Sequence, residues 1–142
     1  ANEDEDTFFE KLAFVVEPAL ATLDRGVFLV DYPTTHASLA RKKPGDARYA
    51  ERFELYVAGV ELCNGFGELT DAAEQRARFV RDQAERQAKG KAVYPIDERF
   101  VAALDRGMPA SGGNAIGFDR LVALACGTTS IKDVIAFTDD EL

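Results

Sequence analysis

A chain of 142 residues, 46% hydrophobic and 30% charged, is long enough to bury one sizeable core and predicts one globular domain or a large part of one. Its formal charge of −8 argues against broad electrostatic capture of tRNA or DNA, because non-specific nucleic-acid affinity comes from a basic surface, and leaves a nucleotide pocket open. Cys63 and Cys126 show neither metal spacing nor a disulfide framework, and a single histidine, His36, excludes most zinc and serine-triad chemistry. No apolar run approaches bilayer-crossing length, and the acidic start Ala1 to Asp6 is the opposite of a signal peptide. A cytoplasmic protein with no membrane partner is expected. The absence of an initiator methionine, with acidic residues running straight into a helical pattern, suggests a piece of a longer protein.

From Asp6 to about Ala21, Phe8, Phe9, Leu12, Val15, Val16 and Leu20 recur at helical spacing, with Thr7 a candidate cap. This predicts a helix packed on a sheet. Val27 to Tyr32 is a β-rich run stopped by Pro33, and Thr34 to Asp46 reads as a polar, mobile loop with turn chemistry at Pro44-Gly45. Glu51 to Val57 and Val60 to Phe66 are strand-like and joined at Ala58-Gly59, a two-residue hairpin turn. Asp71 to Ala88 is an amphipathic helix with Asp71 and Glu74 as a capping-box-like pair. Ala73, Ala77, Val80 and Ala84 run down one side, and Arg76, Arg78, Arg81 and Arg86 are read as a solvated face. Asp97 to Arg106 and Asp119 to Cys126 are shorter helices ended by Gly107 and Gly127, with a glycine-bearing strand between them. The chain shows no internal repeat and no domain boundary.

Two clusters point to chemistry. If Val57 pairs with Val60, Tyr56 faces Glu61 and Glu54 faces Cys63, so Glu54 and Glu61 lie diagonally on one face of the hairpin. Diagonal neighbours sit roughly 7–8 Å apart, close enough for two carboxylates to share a hard cation such as magnesium. Glu68, where the chain leaves this strand, is placed to pair with a substrate ammonium, with Asn64 as a hydrogen-bonding partner and Phe66 packing on an aliphatic stem. The second cluster is Ser111 to Leu121. There Gly112, Gly113 and Gly117 allow close approach of a ligand, and Arg120 opens the next helix with a fork suited to phosphate oxygens. A local salt bridge to Asp119 is the alternative for Arg120. Together the clusters suggest ATP, magnesium and an aminated substrate.

The order Phe28 to Pro33, Glu51 to Glu54, Glu61 to Leu69, Gly107 to Leu121 and Ile131 to Phe137 resembles the C-terminal half of the catalytic domain of class II lysyl-tRNA synthetases. The likeness covers nearly the whole chain, with residues 113–121 similar to the family's motif 3. Ala37 to Ala40 and the run Gly113 to Gly117 are most similar to the short lysyl-tRNA synthetase paralogues known as GenX or PoxA, which attach β-lysine to a lysine of elongation factor P. At the position of Ala115 tRNA-charging relatives usually carry glycine, and a methyl group there would reshape the space around the substrate's amine.

The resemblance implies an α+β fold, an antiparallel sheet flanked by helices, with residues 1–142 the C-terminal part of a class II synthetase-like catalytic domain. It implies magnesium or ATP contacts from Glu54 and Glu61, substrate contacts from Asn64, Phe66, Glu68 and Ala115, and ATP contacts from Gly117 and Arg120, with Arg120 and Glu61 acting in catalysis. The implied activity is formation of a lysyl- or β-lysyl-adenylate and transfer to elongation factor P. A lysyl-tRNA synthetase fragment and an inactive binding module are the alternatives, and tRNA is the less favoured acceptor. The family's motifs 1 and 2 are absent, so a homodimeric parent, weak ATP binding by this chain alone and self-association through uncovered surface are expected.

Overall fold

The structure is a computed structural model that describes residues 5–138. Its centre is a four-stranded antiparallel sheet in the order β1 (Val27–Pro33), β2 (Tyr49–Val57), β3 (Val60–Gly67) and β4 (Gly112–Ile116). Helices α1 (Glu5–Lys11) and α2 (Glu17–Leu20) precede the sheet, α3 (Ala72–Ala88) and α4 (Glu98–Asp105) connect β3 to β4, and α5 (Phe118–Cys126) follows. This is the α+β arrangement the sequence predicts.

The β2–β3 turn forms where expected, with Ala58 at φ 50° and Gly59 at φ 77°, the doubly positive geometry that matches hairpin twist. Val57 pairs with Val60 and Tyr56 with Glu61. Beyond them the register departs from the simple count. A bulge leaves Leu62 unpaired, so Leu55 meets Cys63 and Glu54 meets Asn64, not Cys63. The physical cause is local: Leu62 is buried and its carbonyl accepts a 2.8 Å hydrogen bond from the Gly117 amide, which takes it out of the ladder. Because a one-residue slip exchanges faces, the bulge moves Asn64 onto the face that carries Glu54, while the diagonal between Glu54 and Glu61 survives.

A second irregularity lies between Val30 and Tyr32 on β1, where Asp31 adopts φ 60° and accepts a 2.6 Å hydrogen bond from Lys43. It sets Tyr32 opposite Ala50 while Leu29 stays opposite Glu54. Both side chains therefore share the Glu54 face.

The segment expected to be a mobile loop is pinned. Thr34–His36 forms a 3₁₀ turn, Ala40 bridges to Glu68, and Lys42 bridges to Ala50. Ala37, Ala40 and Ala50 are buried together, with Phe66 packed against them. Alanines make this possible, since only small side chains let the loop backbone lie this close to β2 and β3.

Helix α3 begins as expected, with the Asp71 carboxylate accepting from the Glu74 amide at 2.9 Å. Its buried face is not the alanine stripe. Gln75 and Arg78 point inward, and Val80 is 52% exposed. Arg78 is correspondingly no solvated charge: it donates to the carbonyls of Ser38 (2.9 Å) and Ala40 (2.7 Å) and to Glu74 (2.6 Å). The polar turn over Ser38 to Ala40 needs donors, and a guanidinium supplies several from one side chain.

At the N-terminus the helical pattern is interrupted by a π turn over Leu12–Val16, just ahead of Pro18, whose missing amide hydrogen cannot satisfy the carbonyl of Phe14. Thr7 lies inside α1 and is not its cap. Leu12 is buried and Phe8 stacks on His36 at 4.3 Å, but Phe14 and Val15 face outward, so the apolar stripe is only partly used. The expected helix ends at Gly107 and Gly127 are present, each glycine at positive φ.

Candidate active site

Period-two alternation puts Arg52, Glu54 and Tyr56 of β2 on one face, and the ladder sets rows across it. Leu29, Glu54, Asn64 and Ala115 form one row, and Arg52, Phe66 and Gly113 form the next. Four of the predicted site residues, Glu54, Asn64, Phe66 and Ala115, thus stand together.

Glu54 is the most enclosed of them, only 4% exposed. Its Oε1 accepts from Arg52 at 2.8 Å and from Asn64 Nδ2 at 3.2 Å, and its Oε2 accepts from the Tyr56 hydroxyl at 2.9 Å. The Tyr32 hydroxyl is buried beside the same carboxylate without reaching good hydrogen-bond geometry. Burial, and then the adjacent Glu54 carboxylate, push both phenols above their ordinary range, so they stay protonated. Arg52 also donates to the His36 carbonyl at 2.7 Å and lies over the Tyr32 ring at 4.4 Å. Alternation alone carries the signal for Arg52 and Tyr56, since both are two residues from Glu54. Tyr32 was hidden by the bulge at Asp31.

Glu61 and Arg120 form a second, more open corner. Arg120 donates to the Glu61 carbonyl at 2.8 Å and stands 3.6 Å from its carboxylate, with the two side chains 51% and 36% exposed. Arg120 thus pairs with Glu61, not with Asp119. Desolvation and then the charge of Glu54 raise the Glu61 carboxyl above the usual carboxylate range, with Arg120 opposing them. A carboxylate raised by burial and by the charge of a neighbouring one is a place where a divalent cation lowers the repulsion. Among the described residues no group of three or more His, Cys, Asp or Glu is arranged to hold a metal. Of the pair, Glu61 keeps its carboxylate open while both Glu54 oxygens are taken by donors, and one open carboxylate fits magnesium, which is commonly bound by one or two carboxylates while substrate phosphates and water complete its shell.

The glycines serve this chain's own side chains first. A Cβ on Gly113 would fall 1.9 Å from Glu68 Oε1, so the absent side chain is what lets that carboxylate lie over β4. A Cβ on Gly117 would stand 3.1 Å from Arg120 Cδ. Gly112 has only ordinary contacts, so the expected close approach does not require it. Ala115 is exposed opposite Asn64, whose buried Oδ1 accepts no hydrogen bond. An acceptor left open beside a carboxylate on one sheet face is suited to a cationic amine.

Fold and site define a class. The chain belongs to the class II tRNA synthetases (D, K and N), whose family model matches residues 13–141. Within that class it is similar to elongation factor P–(R)-β-lysine ligases. It is 52% identical over 139 residues to that of Edwardsiella ictaluri (strain 93-146), covering 97% of this chain and 42% of the relative. It is 53% identical over 137 residues to that of Proteus mirabilis (strain HI4320), covering 95% of this chain and 42% of the relative. The chain therefore spans less than half the length of the relatives it matches. No helix among the described residues is long and apolar enough to cross a membrane.

Proposed function

We propose that this chain is the part of an elongation factor P lysyl- or β-lysyl-ligase that holds the substrate amine and one side of ATP. The observation that carries the reading is the face shared by Glu54, Asn64, Phe66 and Glu68, with an open buried acceptor on Asn64 and the Glu61–Arg120 corner beside it. The names of the relatives, ligases for (R)-β-lysine and elongation factor P, support the same choice over tRNA charging.

In the first step a substrate carboxylate oxygen attacks the α-phosphorus of ATP and the bond to pyrophosphate breaks, giving an acyl-adenylate. In the second an acceptor lysine amine attacks the acyl carbon, AMP departs with the bonding pair, and the amine loses a proton. The carboxylate is already ionised at neutral pH, so the first step needs positioning and charge neutralisation more than a base. Glu68 and Asn64 Oδ1 receive the substrate ammonium, Phe66 packs on its stem, and Ala115 bounds the space around its amine. Arg120, at the start of α5 beside Gly117, meets phosphate oxygens. Glu61 would hold magnesium through its open carboxylate, with the buried Glu54 adding negative charge behind it, and the ion would neutralise charge on the departing pyrophosphate.

A homodimeric, cytoplasmic parent completes the reading. ATP–pyrophosphate exchange by the full-length protein, with L-lysine and (R)-β-lysine in parallel, tests it. Exchange favouring β-lysine is the expected result. Exchange with L-lysine, together with charging of tRNA, would replace it by a synthetase, and silence with both would leave a binding module.

A further inference from the structure

On the far side of Arg52 lies a cavity of about 580 Å³ between the Thr34–Ser38 turn and the C-terminal half of α3. Its charge is opposite to that of the chain. Arg52, Arg78, Arg81, Arg86, Lys89 and Lys91 line it against the acids Asp82 and Glu85, in a protein of net charge −8. Several of these cations have structural duties. Arg52 holds Glu54, Arg78 caps the Ser38–Ala40 carbonyls, and Arg86 donates to the Ala92 carbonyl at 2.6 Å while lying over the Tyr94 ring. The side chains of Arg81 and Lys91 make no hydrogen bond or ion pair among the described residues; Lys91 is tied down only through its backbone amide, which donates to the Arg86 carbonyl at 2.9 Å. Arg81 neighbours Asp82, whose carboxyl is nevertheless raised, chiefly by desolvation. Concentrating cations on one concave surface of an acidic chain costs self-repulsion, so it calls for a binding explanation.

We propose that this basic cavity docks an acidic surface of the acceptor protein, beside the lysine that receives the acyl group. The inference rests on the ligase reading above and extends it to the partner. Three observations favour an acidic protein over RNA. Asp82 and Glu85 inside the cavity would repel a phosphate backbone but can take a basic group on a mixed protein surface. The remainder of the chain is acidic, which penalises a nucleic acid carrying one charge per phosphate more than a protein surface carrying a few acids. Position is the third: the Arg52 guanidinium reaches both the cavity and Glu54, so a partner seated here is one side chain from the substrate row. Charge complementarity of this kind guides encounter and orientation, and it is sensitive to salt.

The test uses the full-length protein and its Arg81→Glu/Lys91→Glu variant, with unmodified elongation factor P as the probe in titration calorimetry. The charge reversal should weaken binding by about tenfold or more, and added salt should weaken wild-type binding more than that of the variant. ATP–pyrophosphate exchange, which does not involve the acceptor, should stay at the wild-type rate, and Arg81→Lys/Lys91→Arg should bind like wild type. Unchanged affinity for elongation factor P overturns the proposal, as does loss of exchange in step with loss of binding. A selective loss of tRNA binding would assign the cavity to RNA and overturn it too. If the wild type binds elongation factor P but shows no exchange with either lysine isomer, the ligase reading fails while the docking surface stands.

Discussion

The two carboxylates that the sequence pairs, Glu54 and Glu61, end in different surroundings. Glu54 is buried, with three donors on its oxygens and a second phenol beside it. Glu61 is partly exposed, faces one arginine at a loose 3.6 Å, and is pushed toward its neutral form. A saturated buried carboxylate organises its neighbours, while an undersupplied one at a surface is available to a ligand. The difference separates the part of the site built by folding from the part that waits for nucleotide.

The sharpest way to break this comparison is at Arg52. Arg52→Ala leaves Glu54 buried without its cation and should cost about 3–5 kcal/mol, read as a shift in the urea midpoint. A loss below 1 kcal/mol would mean that Glu54 is not held as described. Tyr56→Phe removes the hydroxyl that donates to Glu54 and also stands 3.2 Å from Glu17 Oε1, and should cost about 1.5–3 kcal/mol in the same assay. At the open corner Arg120→Ala should change stability by only about 0.5 kcal/mol, as expected for an exposed pair, while weakening ATP binding in the full-length protein.

The smallest effect is a pH dependence. Glu61 has a raised carboxyl, so its stabilising contribution is fully present below its unfolded value and is lost as pH rises through the higher folded value. Glu61→Gln does not titrate. With chelator present, its melting temperature should meet the wild-type value in acid and rise above it toward neutral pH. A constant offset across that range would contradict the raised carboxyl.

Much of this was legible in the sequence, because the strongest signals are local. The Ala58-Gly59 turn, the Asp71 cap and the glycine helix ends each depend on a few adjacent residues, and each stands where expected. The face shared by Glu54 and Glu61 followed from the turn and period two. What was not legible depends on contacts between distant segments. The Leu62 bulge needs Gly117, and the buried Arg78 needs the carbonyls of a loop some forty residues away. The pinned loop needs alanines that read as filler until Phe66 packs on them. The alanine stripe of α3 misled because its helix is anchored by polar residues, Gln75 and Arg78, that no hydrophobic pattern ranks as interior.

The account turns on the open corner being the nucleotide site. Calorimetric titration of ATP with magnesium into the full-length protein and its Glu61→Gln variant, with melting curves in parallel, tests this directly. The account predicts an affinity lower by about tenfold, roughly 1.4 kcal/mol, in a variant no less stable than the wild type. Unchanged affinity in a folded variant would contradict it.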